Sequence, residues 1–244
     1  MASTQTGIEW TDKTWNPTTG CNKVSPGCKF CYAESITKRF HKSFPNGFRF
    51  TLHPERLNEP RTWRKASRVF VNSMSDLFHE EMPLDFLQHI FAVMNGCPQH
   101  TFQILTKRHE RMLELAPQLR WSDNIWMGVS VETQDYVHRV DYLRRIPAAV
   151  RFLSCEPLLG ALELDLSGIH WVITGGESGS KSRPCHPDWV RGIRDQCLQA
   201  NVAYFHKQWG GLRSKSKGRE LDGRTWSEFP SQAYAPFHSE QSSL

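Results

Sequence analysis

The sequence predicts an α/β protein built as a full or partial (β/α) TIM-type barrel of parallel strands. Three observations carry this. Short β-branched or aromatic runs alternate with amphipathic helical stretches, as parallel βαβ units require. The runs number about eight, enough to close a barrel. Nearly every run turns abruptly polar at its C-terminal end, the end at which barrels of this kind build their sites. A chain of 244 residues, 39% of them hydrophobic, can bury a core of that size. A single domain is expected over 1–230, followed by a polar tail over 231–244.

In chain order, the first strand falls at Ile8–Trp10 or Thr14–Asn16, and the second at Phe48–Leu52. Val69–Asn72, Thr101–Leu105, Ile125–Ser130, Val150–Ser154, Trp171–Thr174 and Ala203–Phe205 follow. Between them, Pro83–Met94 sets Leu84, Leu87, Phe91 and Met94 on one helical face. Arg108–Leu115 and Gln134–Arg145 have the same periodicity, and Pro187–Ala200 opens with Pro and Asp, a helix-start signature. The unit from Phe48 to Lys65 fits a strand–helix pair least well, which leaves a partial barrel of six or seven strands open.

Composition narrows the functional classes. No stretch approaches the roughly 20 apolar residues of a membrane span, and the N-terminal residues lack a signal-like apolar core. A cytoplasmic protein without a membrane partner is expected, in a bacterial or phage-infected host cell. The net charge of +5 suits a phosphate-bearing partner such as DNA or a nucleotide. The seven cysteines are unevenly spaced, and in a reducing compartment a tight group points to metal or catalysis rather than disulfides.

That group is Cys21, Cys28 and Cys31, spaced C-x6-C-x2-C on a loop between the first strand and a helix. Three thiolates can hold three irons of a four-iron cluster and leave the fourth open to a ligand. Pro26 and Gly27 permit the tight turn between them, and Phe30 can shield the cluster from water. Two other readings stand beside this one. Zinc could be held with His41 or His53 as fourth ligand, in a non-catalytic nucleic-acid-binding module. A metal-independent barrel hydrolase could use Glu132, Glu156 or Glu177 as acid and base.

The segment Cys28-Lys29-Phe30-Cys31-Tyr32 resembles the second half of the radical S-adenosylmethionine (SAM) motif, and is similar to the corresponding stretch of spore photoproduct lyase. The first gap is six residues here, against three in most of that superfamily. Residues 7 to about 230 resemble a phage-encoded family regarded as radical SAM-like. The features shared are the Trp15-Asn16-Pro17-Thr18-Thr19-Gly20-Cys21 opening, the cysteine loop, Thr174-Gly175-Gly176-Glu177-Ser178-Gly179 and the closing Leu221-Asp222-Gly223-Arg224-Thr225-Trp226.

The resemblance implies a [4Fe–4S] cluster on Cys21, Cys28 and Cys31, SAM as second cofactor, and a 5′-deoxyadenosyl radical that abstracts hydrogen. An electron donor such as flavodoxin or ferredoxin would reduce the cluster. Gly175, Gly176 and Glu177 resemble the GGE segment that supports the amino group of SAM. Phe30, Tyr32, Asn72, Ser73, Asp76, Ser130 and Glu132, at the loop and strand ends, are expected near the cofactor. Lys107 and Glu156 are expected in catalysis, with Cys155 as hydrogen donor or as a fourth ligand. Lys107, Arg108, Arg183 and Lys207 are expected to meet substrate phosphate.

Overall fold

The computed structural model describes residues 6–212 and 216–231. The tail expected over 231–244 lies, beyond Ser231, outside the described residues. The first strand is β1 (Lys13–Trp15), and a short ribbon pairs β2 (Thr18–Thr19) antiparallel with β3 (Thr51–Leu52). The remaining large strands are β4 (Arg68–Val71), β5 (Thr101–Thr106), β6 (Ile125–Ser130), β7 (Val150–Cys155), β8 (Trp171–Gly175) and β9 (Ala203–Gln208). A second ribbon joins β10 (Glu220–Leu221) to β11 (Arg224–Thr225).

Among the described residues, seven parallel strands form one sheet in the order β1-β4-β5-β6-β7-β8-β9, curled as a half-barrel. The sheet is therefore the partial form of the expected barrel, with β1 and β9 at its open edges. The missing strand is the second one. Phe48–Leu52 contributes only two residues to a side ribbon, and the chain beyond it runs through 3₁₀ turns at Pro54–Arg56 and Glu59–Thr62. Proline at the start of both turns lacks the N–H that a ladder or helix interior needs. Ile8–Trp10 is likewise not a strand.

The helices are α1 (Tyr32–Arg39), α2 (Leu84–Asn95), α3 (His109–Leu115), α4 (Arg139–Arg144) and α5 (Pro187–Ala200). In α2 the predicted apolar face is buried at Leu87, Phe91 and Met94, with Phe86 and Ile90 added. The helix expected over Gln134–Arg145 divides into a 3₁₀ turn, Gln134–Tyr136, and α4. Helix α5 starts with Pro187 in its first turn, the His186 ring accepting from the Asp188 N–H, and stops at Asn201 in the left-handed region (φ 53°).

Strand alternation divides the core into two layers. Val69, Val71, Ile104, Val129, Leu153 and Val172 pack with α2 and α5 residues such as Leu87, Ile90 and Ile193. Their neighbours on the opposite face, Phe70, Trp126, Phe152, Trp171, Ile173 and Phe205, close around Trp10 in an aromatic floor on the concave side. Trp10 is held there by ring contacts to Phe70 and Trp171, and its carbonyl accepts from the Gln103 side-chain amide. The concave face is thus dry and aromatic below. It becomes polar toward the C-terminal strand ends, at Ser130, Lys107, Glu156 and Lys207.

Candidate functional site

The cysteine loop begins where the β2 ribbon ends. Gly20 takes φ +84°, and a Cβ there would lie 2.1 Å from the Arg49 carbonyl oxygen, so only glycine fits. Its N–H donates to the Met74 carbonyl (2.9 Å), and the Ser75 hydroxyl donates to the Gly20 carbonyl (2.7 Å). The loop is thereby fixed to the segment that follows β4. A short turn at Pro26–Cys28 comes next, and Cys31 stands at the N-terminal cap of α1.

From there the loop reaches across the sheet. Ser25 Oγ donates to Glu132 Oε1 beyond β6, and Gly27 lies so close to Glu132 that a Cβ would sit 2.5 Å from the same oxygen. Arg183 Nη2 donates to the Pro26 carbonyl (3.0 Å) while its guanidinium lies 5.4 Å from the Phe30 ring centre. The Tyr32 hydroxyl donates to the Ser73 carbonyl. Arg108, after β5, approaches Cys21 Sγ at 3.6 Å. The three cysteines are half-buried, and burial pushes the Cys21 thiol up to about 12.

Below the loop, lysine and arginine side chains meet carboxylates. Lys207 Nζ donates to Glu156 Oε1 (2.6 Å). Lys107 Nζ donates to Ser130 Oγ (3.0 Å) and stands 3.7 Å from Glu132, which is fully buried and also accepts from Arg139 (2.9 Å). Arg183 grips both oxygens of Glu177, from Nε at 2.9 Å and Nη2 at 2.6 Å, and this pairing raises the arginine above its ordinary value. Lys107, Arg183 and Lys207, expected to meet phosphate, each lie against a carboxylate, which offsets part of the field; Lys107 shares Glu132 with Arg139.

Several expected site residues are brought together at this end of the sheet, yet many serve the scaffold. Asn72, at φ 60°, donates to Thr18 Oγ1 (2.8 Å), and Ser73 Oγ donates to Asn16 Oδ1 (3.2 Å). Both tie β4 to the exit of β1. Asp76 accepts from Phe78 N, Thr106 Oγ1 and Lys107 N, joining the ends of β4 and β5. Gly175 ends β8 against the Glu156 side chain, and the Gly176 N–H donates to the Gln208 carbonyl. Cys155 is not at the mouth. As the alternate residue to Ser154 it lies in the helix-facing layer, fully buried, and desolvation holds its thiol well above the ordinary range. Its expected place as a hydrogen donor is corrected accordingly.

Sequence reasoning missed Arg139, which is 1% exposed and neutralises Glu132. It also missed Ser25 as a donor to that carboxylate. An arginine inside an amphipathic helical stretch gives no sign of burial, and contacts between distant segments leave no local pattern.

The donor set fits an iron–sulfur cluster. Three soft sulfur donors share one loop, an arginine and a serine hydroxyl lie 3.6 Å from two of the sulfurs, and half-buried Phe30 sits beside them. Among the described residues, no group of three His, Cys, Asp or Glu is gathered tightly enough to hold a single ion. Cluster thiolates each bind a different iron and need not converge on one point.

The fold is similar to that of spore photoproduct lyase complexed with dinucleoside spore photoproduct (TM-score 0.50, 10% identity), over 78% of this chain and 62% of that one. A doubly substituted variant of that lyase with bound AdoMet and the dinucleoside spore photoproduct aligns at TM-score 0.46 and 11% identity, over 78% of this chain and 62% of the other. At such identity the likeness is one of fold. The matched region spans less than two thirds of the lyase. No curated protein sequence matches. Among the described residues no helix is long and apolar enough to cross a membrane. A family profile covers residues 5–230, and the chain belongs to that family, described as "Protein of unknown function (DUF5131)".

Proposed function

We propose that the chain is a radical SAM enzyme, one domain over residues 1–230, with Cys21, Cys28 and Cys31 holding a [4Fe–4S] cluster at the mouth of the half-barrel. The observation that carries this reading is the seating of the C-x6-C-x2-C loop over the polar end of a concave face whose floor is aromatic and dry. Three thiolates leave one iron of four without a protein ligand. Bound there with SAM, such a cluster supplies one-electron cleavage of the sulfonium and a 5′-deoxyadenosyl radical that takes hydrogen from the substrate.

The chain's own residues supply the surroundings. Arg108 counters charge at Cys21, and Phe30, half-buried beside Arg183, covers part of the loop. Glu156 and Lys207 offer an acceptor and a donor side by side, and Lys107 and Ser130 a second donor pair, to orient a substrate in the mouth. A nucleobase, in DNA or as a nucleotide, suits such paired polar groups and the net charge of +5. The lyase of similar fold is complexed with a dinucleoside photoproduct, which favours the same class. A low-potential donor such as flavodoxin or ferredoxin supplies the electron.

Anaerobic reconstitution with iron and sulfide tests the metal assignment. The wild-type chain should turn brown and retain iron and sulfide through desalting. Cys28→Ala and Cys31→Ala should lose both while keeping their far-UV circular dichroism. Retention of zinc in place of iron, or an unaltered cluster in Cys28→Ala, would sink the assignment.

A further inference from the structure

The gap between Cys21 and Cys28 contains a three-residue segment, Ser25-Pro26-Gly27, that two strand ends hold from opposite sides. On one side Glu132 takes the Ser25 hydroxyl and abuts Gly27. This carboxylate cannot easily move away, because Arg139 binds its other oxygen at 2.9 Å and Lys107 lies 3.7 Å from the first. On the other side Glu177 fixes Arg183 through three hydrogen bonds, from the backbone N–H, Nε and Nη2. The same Nη2 donates to the Pro26 carbonyl at 3.0 Å. Glu177 is itself buried (6% exposed), and the chain that follows it is tied back by the Gly211 N–H to its carbonyl (2.9 Å).

We propose that Glu132 and Glu177, the latter through Arg183, are positioning residues that clamp Ser25–Gly27 and so set the placement of the cysteines on either side. The inference rests on the cysteine loop being the cluster loop. It gives the Gly175-Gly176-Glu177 segment a different task from support of the SAM amino group, since both Glu177 oxygens are engaged by Arg183. A longer gap between the first two cysteines would sag without an anchor; here its middle is bonded to β6 and β8.

The clamp is testable in metal-free protein by the alkylation rates of Cys28 and Cys31 with iodoacetamide, mapped by mass spectrometry. Fully buried Cys97 and Cys197 serve as internal reporters of global opening. In Arg183→Met and Gly27→Ala, alkylation of Cys28 should rise at least about tenfold, the shift expected when a charge-assisted contact is removed. The Cys97 and Cys197 rates should stay at wild-type values, although Arg183→Met, which leaves buried Glu177 without its partner, should also lower the melting temperature. Arg183→Lys, which keeps a donor for Glu177 or Pro26, should recover part of the protection, and Ser25→Ala should give a smaller rise than Gly27→Ala. An unchanged Cys28 rate in both principal variants would overturn the clamp. So would a rise shared equally by Cys97 and Cys197, because that reports general loosening. None of these readings needs a cluster, so a failure to reconstitute iron would sink the radical reading and leave the clamp standing.

Discussion

The lower and upper halves of the concave face solve opposite problems on the same strands. Below, Trp10, Phe70, Trp126, Phe152, Trp171 and Phe205 interlock with tilted and edge-on ring contacts and keep water out. Above, alternate positions of the same strands carry Ser130, Ser154, Glu132, Glu156, Lys107 and Lys207, and buried charge is tolerated only because each charged group has a partner. The floor stabilises the fold. The rim costs stability to desolvate, and its arrangement makes physical sense as a place for chemistry.

The comparison is broken most severely at the floor. Trp171→Ala removes a fully buried ring that touches Trp10, Trp126, Phe152 and Phe205, and loses the indole donation to the Glu228 carbonyl. Urea unfolding should show a loss of about 3–5 kcal/mol. At the rim, Arg139→Met should cost about 2 kcal/mol, less than a fully orphaned buried charge because Lys107 still faces Glu132. The double change Arg139→Met with Glu132→Leu should recover most of that loss while freeing the cysteine loop. If it unfolds the protein further, the rim pair stabilises the fold, and the contrast between floor and rim is wrong.

A smaller effect comes from histidines buried in neutral form. Burial pushes His206 and His170 down to about 4. Their ordinary value lies near 6.5, so between those limits the unfolded chain binds more protons than the folded one. Stability is therefore complete above about pH 6.5 and falls as pH drops toward 4. Each should remove roughly 1–2 kcal/mol between pH 7 and 5. His206→Gln should flatten the slope of urea-derived stability against pH; an unchanged slope would mean that the ring is protonated in the folded protein.

The parallel sheet was legible because strand runs such as Ile125–Ser130 are apolar almost throughout, the signature of strands covered on both faces. The unit from Phe48 to Lys65 misled because its aromatic run imitates a strand, while the prolines that follow turn the chain away. The cysteine loop declared itself through its density. Glu132 and Glu177 were visible as polar strand ends, but their task was not, since it depends on Arg139, Ser25 and Arg183 arriving from elsewhere in the chain. Cys155 was misplaced for a simpler reason: at the end of a strand, one residue of register decides between mouth and core.

The central claim is tested most directly by SAM cleavage. The reconstituted protein, reduced under anaerobic conditions and given SAM with short single-stranded DNA, should release 5′-deoxyadenosine, and Cys28→Ala should release none. Equal release from both proteins, or binding of SAM to the clustered wild type without any cleavage across nucleotide and DNA substrates, would contradict the radical SAM account.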